Sequence, residues 1–235
     1  MRRELLKADV IVTISEWTRL RLLRLKLVDA DKCVVVHLGA TPPHSPPQVS
    51  GRTDIGRWLT EPYVLFVGRI EARKNIGHLI KAVRPLSQLN LVIVGEPGFG
   101  YEDIVDRHLA RFPSDRLCIL SRVPAYELEL LYHNAIAMLL PSWEEGFGLP
   151  ILEAMVRGCP VITSNCSAAS EVAAGGAILV DPADPTESRD AVSRLYEDAA
   201  YRSRWQQTGL AHSSNFSWSK YFEDLISIYR SVLSN

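Results

Sequence analysis

At 235 residues and 47% hydrophobic content, the chain carries enough apolar material for one good α/β core with some extra, and too little for two full domains. Its 26 basic and 27 acidic residues leave a formal charge of -1, which excludes bulk electrostatic binding to nucleic acid. Cys33, Cys118, Cys159 and Cys166 form no C-x-x-C pair and no ligand spacing with histidine, so they read as buried free thiols of a reducing compartment.

Residues 10–14 (VIVTI) read as a strand and residues 34–38 (VVVHL) as another, with a helix between them. Ser15 is a good N-cap type for that helix, in which Arg19, Arg21, Arg24 and Lys26 alternate with Trp17, Leu20, Leu23 and Leu27. The favoured reading is an ordinary helix docked on a sheet; the other is a peripheral surface at the inner face of a membrane. No apolar run is long enough to span a bilayer and Met1 opens no signal-peptide pattern, so the expected product is soluble and cytoplasmic. TPPHSPPQVSGRTD follows, where Pro42, Pro43, Pro46 and Pro47 forbid regular helix or central strand and predict a linker.

From Tyr63 a longer alternation begins. Apolar runs at 63–67, 91–94, 117–120, 137–140, 161–163 and 177–180 alternate with helix-compatible stretches at 75–86, 101–111, 125–134 and 150–157. Short buried strands alternating with helices predict an α/β fold, a Rossmann-like doubly wound parallel sheet with ligands at the C-terminal ends of its strands. Residues 216–233 form one more helical pattern, whose broad aromatic face (Phe216, Trp218, Tyr221, Phe222, Tyr229) must be buried in this domain, another domain or a partner. The predicted organisation is a strand–helix–strand unit at 1–40, a linker at 41–61, the Rossmann-like domain at 62–213 and a C-terminal helix at 214–235.

The feature richest in chemistry runs from Glu144 to Glu153 (EEGFGLPILE), with three residues between it and the run at 137–140. Gly146 and Gly148 permit unusual dihedrals or close ligand approach, Pro150 suits a first helical turn, and Gly158 with Pro160 closes the helix. Free N–H groups at such a helix start favour a phosphate or another anion. Glu145 and Glu153 frame the turn and could accept hydrogen bonds from sugar or ribose hydroxyls, or could merely be solvated or favour the helix dipole. Arg69 and Lys74, in GRIEARKN after the strand at 63–67, make a sensible diphosphate pair or a solvated turn. Arg122 and Val123 follow the strand at 117–120 and could hold a base through backbone groups. Ser164, Asn165, Ser167 and Glu171 could line the same cleft, whereas His37 reads as a satisfied structural histidine. No metal cluster and no Ser–His–Asp or Cys–His arrangement is visible.

With these motifs in view, PSWEEGFGLPILEAMVRGCPVI, FVGRIEARKN, ILVDPADP and the late FSW helix resemble, in order and position, the retaining glycosyltransferases of family 4, which have a two-domain GT-B fold. The resemblance implies that the chain is mostly the C-terminal, nucleotide-sugar-binding half of that fold, with 1–40 matching the last part of the N-terminal Rossmann domain. It implies roles residue by residue: Arg69 and Lys74 on the donor diphosphate, Glu145 on the donor sugar, Glu153 on the ribose. Backbone N–H groups from Gly146 through Phe147, Gly148 and Leu149 would steady sugar or phosphates, and Arg122 and Val123 would embrace the base. Arg69, Lys74 and Glu145 then form the catalytic set; no cofactor or metal is required, because the cations and the helix start replace a metal's charge. The donor would be a GDP- or UDP-linked sugar. VITSNCSAASEVAAGGAILVDP is similar to members that use GDP-mannose. The acceptor, a glycan, a lipid-linked sugar or a small molecule, is open. The family's amino-terminal glycine-rich loop is absent from this sequence, so the competing readings are a nucleotide-sugar-binding module inactive alone, one subunit of a split transferase whose partner supplies the missing domain, or a self-associating chain.

Overall fold

The computed structural model describes residues 5, 7–43 and 55–234. The linker stretch from 44 to 54, Pro46 and Pro47 included, lies outside the described residues.

The chain first builds a small unit. Strand β1 (Ile11–Thr13) pairs in parallel with β2 (Cys33–Val35), Ile11 opposite Cys33. Helix α1 (Glu16–Arg24) connects them and starts at Ser15, whose side chain accepts from the Thr18 N–H. After α2 (Gly56–Thr60) the main domain alternates strand and helix: β3 (Tyr63–Val67), α3 (Ile76–Val83), β4 (Asn90–Val94), α4 (Tyr101–Arg107), β5 (Leu117–Leu120), α5 (Ala125–Asn134), β6 (Ala137–Leu140), α6 (Leu149–Met155), β7 (Val161–Ser164), α7 (Ser167–Ala173) and β8 (Ile178–Val180). Helices α8 (Pro185–Glu197), α9 (Ala199–Ser213) and α10 (Trp218–Leu233) complete the described chain.

All six strands of the large sheet run parallel, in the order β5-β4-β3-β6-β7-β8. Consecutive residues of β3, β4 and β6 are buried, which requires cover on both faces and matches their unbroken apolar runs. The chain winds outward from β3 through β4 to β5, then returns to the other side of β3 as β6. That reversal leaves a crevice between the loops after β3 and β6, at the C-terminal strand ends.

Two close approaches set the shape of this edge. A Cβ on Gly95 would sit 1.8 Å from the Gly68 carbonyl oxygen, so only glycine lets the loops after β3 and β4 touch. Bonds from Gly68 N–H to Val94 O (2.9 Å) and from Ile70 N–H to Glu96 O (3.0 Å) pin them together. At the small unit, a Cβ on Gly39 would lie 2.2 Å from Trp218 N, and Ala40 N–H donates to Phe216 O at 3.1 Å.

One finding departs from the sequence reading. Helices α8 and α9 were not foreseen; Asp184 and Asp198 start them by accepting from the Thr186 and Tyr201 N–H groups. The aromatic face of α10 is not buried among the described residues: Phe222, Ile226 and Tyr229 are 53%, 49% and 63% exposed. Leu225, Ile228 and Val232 instead edge a shallow cavity beside Val10 and Val12 of the small unit. Cys33, Cys118 and Cys159 are buried free thiols and Cys166 is half-buried; burial pushes the Cys118 thiol up to about 11.

Candidate functional site

The crevice is held by charges from both its walls. Behind β3, a short 3-10 turn (Ala72–Lys74) ends at Asn75, which takes left-handed dihedrals (φ 57°, ψ 46°) before α3. This fold-back buries Lys74 to 6% exposure. Across the crevice, the loop after β6 carries Glu145, 5% exposed. Lys74 Nζ lies 2.5 Å from Glu145 Oε1, and Ser142 Oγ donates to the same oxygen at 2.7 Å. Arg73 Nη1 reaches Glu145 Oε2 at 3.3 Å and donates to Glu144 O at 2.9 Å. Burying a carboxylate is costly unless it is paired and hydrogen-bonded, and Glu145 has both. Lys74 has three donors and spends one on Glu145, so two are without a partner among the described residues.

The glycine turn leads from Glu145 into α6. Gly148 has φ 99°, a region that favours glycine, and a Cβ there would strike Ile151 Cδ1 at 2.8 Å. Gly146 is exposed, and a Cβ on it would meet only open space. Among the described residues, the N–H groups of Gly146, Phe147, Gly148 and Leu149 donate to no protein acceptor. Pro150 occupies the first turn, where no N–H is needed. The Phe147 side chain turns inward, 3% exposed, with ring centroids 6.1 Å from His37 and 6.3 Å from Phe216.

Glu153 lies further along α6, half-buried. Tyr132 Oη donates to its Oε2 at 3.0 Å, which leaves its other oxygen unbonded among the described residues. Arg69 is exposed at the end of β3 and makes no hydrogen bond or ion pair among the described residues. Its charge acts on Glu96, whose carboxyl is held below the usual range chiefly by its hydrogen bond with Arg122 and less by Arg69. The Arg122 Nε to Glu96 Oε1 distance is 2.8 Å, and this pair is exposed. Val123 is half-buried beside it.

The structure therefore joins Lys74 and Glu145 directly, sets Arg69 free at the rim, and puts Arg122 and Val123 at a neighbouring strand end. Sequence reasoning missed Ser142, Arg73 and Ser15. Ser142 stands two residues after β6 and three before Glu145, a spacing that offers a signal. Ser15 gave none, since its Oγ donates to Gly146 O (2.7 Å) from 131 residues away. Ser167, with φ 59°, accepts from the Glu145 N–H at 3.1 Å, and Ser164 Oγ donates to Ser142 O at 2.6 Å. Glu171 turns to α1: its oxygens accept from Glu16 N–H (2.8 Å) and Trp17 N–H (2.9 Å), and His37 Nε2 lies 2.8 Å away. Among the described residues, no group of three or more His, Cys, Asp or Glu side chains is placed to hold a metal ion, and no helix is long and apolar enough to cross a membrane.

Residues 52–212 match the family model described as "Glycosyl transferases group 1". The chain is 31% identical over 231 residues to the O-antigen chain mannosyltransferase B of Escherichia coli, covering 95% of this chain and 61% of that protein. It is 30% identical over 244 residues to a D-inositol 3-phosphate glycosyltransferase of Corynebacterium glutamicum (strain R), covering 97% of this chain and 58% of the relative. It thus spans about three fifths of the length of these curated relatives. Among solved structures, Anabaena HepE in complex with UDP-glucose superposes with a TM-score of 0.83 at 20% identity, covering 95% of this chain and 64% of that one. Sucrose-phosphate synthase from Thermosynechococcus elongatus superposes with a TM-score of 0.79 at 24% identity, covering 99% and 60%. These likenesses show a Rossmann-like α/β domain matching the C-terminal half of the two-domain GT-B fold.

Proposed function

The chain belongs to the group 1 glycosyl transferases, and from that premise we propose that it binds a nucleoside diphosphate sugar in the crevice between the loops after β3 and β6, as the donor half of a retaining hexosyl transferase of family 4. The observation that carries this reading is that donors without a partner among the described residues stand on both walls of the crevice: Arg69 and two Lys74 protons in the loop after β3, and the N–H groups of residues 146–149 in the loop after β6. A diphosphate takes such donors well. Cleavage of the sugar–phosphate bond leaves negative charge on the diphosphate, and Arg69 with Lys74 sits ready to meet it. In this reading no metal ion is needed. Glu145, fixed by Lys74 and Ser142, faces the sugar; the unbonded oxygen of Glu153 takes a ribose hydroxyl; Arg122 and Val123 border the base.

Likeness to a protein named as a mannosyltransferase supports mannose as the sugar of the donor, GDP-mannose being one such donor. Likeness to a structure solved with UDP-glucose supports a uridine donor. The second reading, a donor-binding module that turns over nothing alone or one subunit of a split transferase, is favoured by one observation. The apolar face of α10 is uncovered beside the small unit, where an acceptor-bearing domain would have room to pack. Calorimetric titration with GDP-mannose, UDP-glucose, GDP and UDP tests the donor site. Arg69→Ala should abolish whatever binding the wild type shows. A folded wild type that binds none of the four sinks the donor assignment for these nucleotides.

A further inference from the structure

The glycine turn has a weakness that its neighbours correct. A peptide unit is planar and trans, so its C=O and N–H point to opposite sides. Flipping the Gly146–Phe147 unit would exchange them, turning a carbonyl to the side where the N–H now stands. Gly146 has no Cβ to resist, and the space around it is open. In the structure this carbonyl is tied to α1: Ser15 Oγ donates to Gly146 O at 2.7 Å and Thr18 Oγ1 at 3.3 Å. Ser15 is fully buried and caps α1 with the same oxygen. The helix is in turn fastened to the main domain by Glu171 of α7, whose carboxylate accepts from the Glu16 and Trp17 N–H groups. Residues separated by 131 and 155 positions thus meet at one helix start.

We propose that Ser15 and Glu171 are positioning residues that lock the Gly146–Phe147 peptide with its carbonyl on α1 and its N–H on the opposite side, available to the donor. Ser15 acts on the peptide directly. Glu171 acts through Ser15, by holding the first turn of α1, where N–H groups lack partners within the helix and the helix dipole favours a carboxylate. The lock deepens the donor-site reading and rests on it for its purpose, but its geometry can be tested without any ligand.

The test is nitrogen-15 relaxation dispersion on the full chain, which reports exchange between backbone states on the microsecond-to-millisecond scale. The wild type should be flat at Gly146, Phe147 and Gly148. Ser15→Ala removes a hydrogen bond worth about 1 kcal/mol, so the flipped state should gain about fivefold in weight and dispersion should appear at these residues. Adding Gly146→Ala, whose Cβ has room, should damp it again. Glu171→Gln should give a smaller effect at the same residues and loosen the amides of Glu16 and Trp17; it also serves if Ser15→Ala fails to fold. Flat profiles in a folded Ser15→Ala protein, or dispersion already present in the wild type, overturn the lock. Titration with GDP-mannose and UDP-glucose separates the two readings. Wild-type binding that Arg69→Ala abolishes, together with dispersion in Ser15→Ala, supports both; the flipped state stays a minor one, so Ser15→Ala should bind with nearly wild-type affinity. Dispersion in Ser15→Ala without binding by the wild type keeps the lock and removes the donor reading for these sugars.

Discussion

The six-stranded domain and the β1–α1–β2 unit hold together by different means. In the first, Val64, Leu65, Phe66, Leu91, Val92, Ile93 and Leu139 have no exposed surface and belong to one continuous core. The second has a buried core of Ile11, Val28 and Cys33 with a few half-buried neighbours. At roughly 25 cal/mol per Å² of apolar surface removed from water, three side chains cannot hold such a unit in place. Ala40, Ile14 and Leu38 pack against the main core, and directional bonds add to that hold: Ser15 to Gly146, Glu171 to α1, Ala40 to Phe216, and Trp218 Nε1 to Thr41 Oγ1 at 3.1 Å. The lesson is that the large domain sets stability while the small unit sets alignment.

That contrast can be broken from the core side first. Leu139→Ala should cost about 2–5 kcal/mol, read as a lower urea midpoint with an unchanged slope. Lys74→Met leaves the buried Glu145 with only Ser142 and a long contact to Arg73. A loss of about 3–5 kcal/mol is expected, and Lys74→Met with Glu145→Leu should recover much of it. Ser15→Ala should cost about 1–2 kcal/mol, with hydrogen exchange accelerated in α1 and unchanged in β3 and β4; equal acceleration in the core would erase the distinction between the two regions.

Acid supplies a further probe of the large domain. His78 is buried on α3 between the Pro182 carbonyl, 2.9 Å from Nδ1, and Ser188 Oγ, 2.7 Å from Nε2. The carbonyl can only accept, so the neutral ring carries its proton on Nδ1. Burial lowers its pKa below the ordinary 6.5. Between 6.5 and that lowered value the unfolded chain binds the proton that the folded chain refuses. The stability tied to His78 is therefore complete above this window and lost as pH falls through it. Melting curves at pH 7.5, 6.0 and 5.0 should show that loss, and His78→Gln should shrink it. The smallest effect is expected at the rim: Arg122→Ala removes an exposed pair and should leave the melting temperature unchanged.

The same contrast explains what the sequence could reveal. The central strands β3, β4, β6 and β7 are legible because unbroken apolar runs between Gly, Pro and Ser belong to strands buried on both faces; β5 and β8, at the edges, keep Ile119 and Leu179 partly exposed. The glycine turn is legible because Gly148 needs a positive φ and Pro150 needs a helix start. Helices α8 and α9 were hidden by their composition: in α8 only Ser188, Val192 and Leu195 are buried, and in α9 only Gly209 and Ser213. At the site, Arg69, Lys74 and Glu145 stand out as charged residues beside strand ends. That Lys74 and Glu145, 71 positions apart, neutralise each other depends on β6 returning beside β3, which no local spacing encodes. The bond from Ser15 to Gly146 is more remote still.

The contact between Gly95 and the Gly68 carbonyl constrains any redesign of this rim of the crevice. The gap between those two loops is set by a missing atom, so it cannot be tuned in steps: alanine at position 95 already demands more room than exists. The rim carrying Arg69 and Glu96 behaves as one plate, and a graft that lengthens either loop must carry the other with it. The β5 loop is joined to that plate at Glu96 by the exposed Arg122, so its side chains can be exchanged without rebuilding the frame.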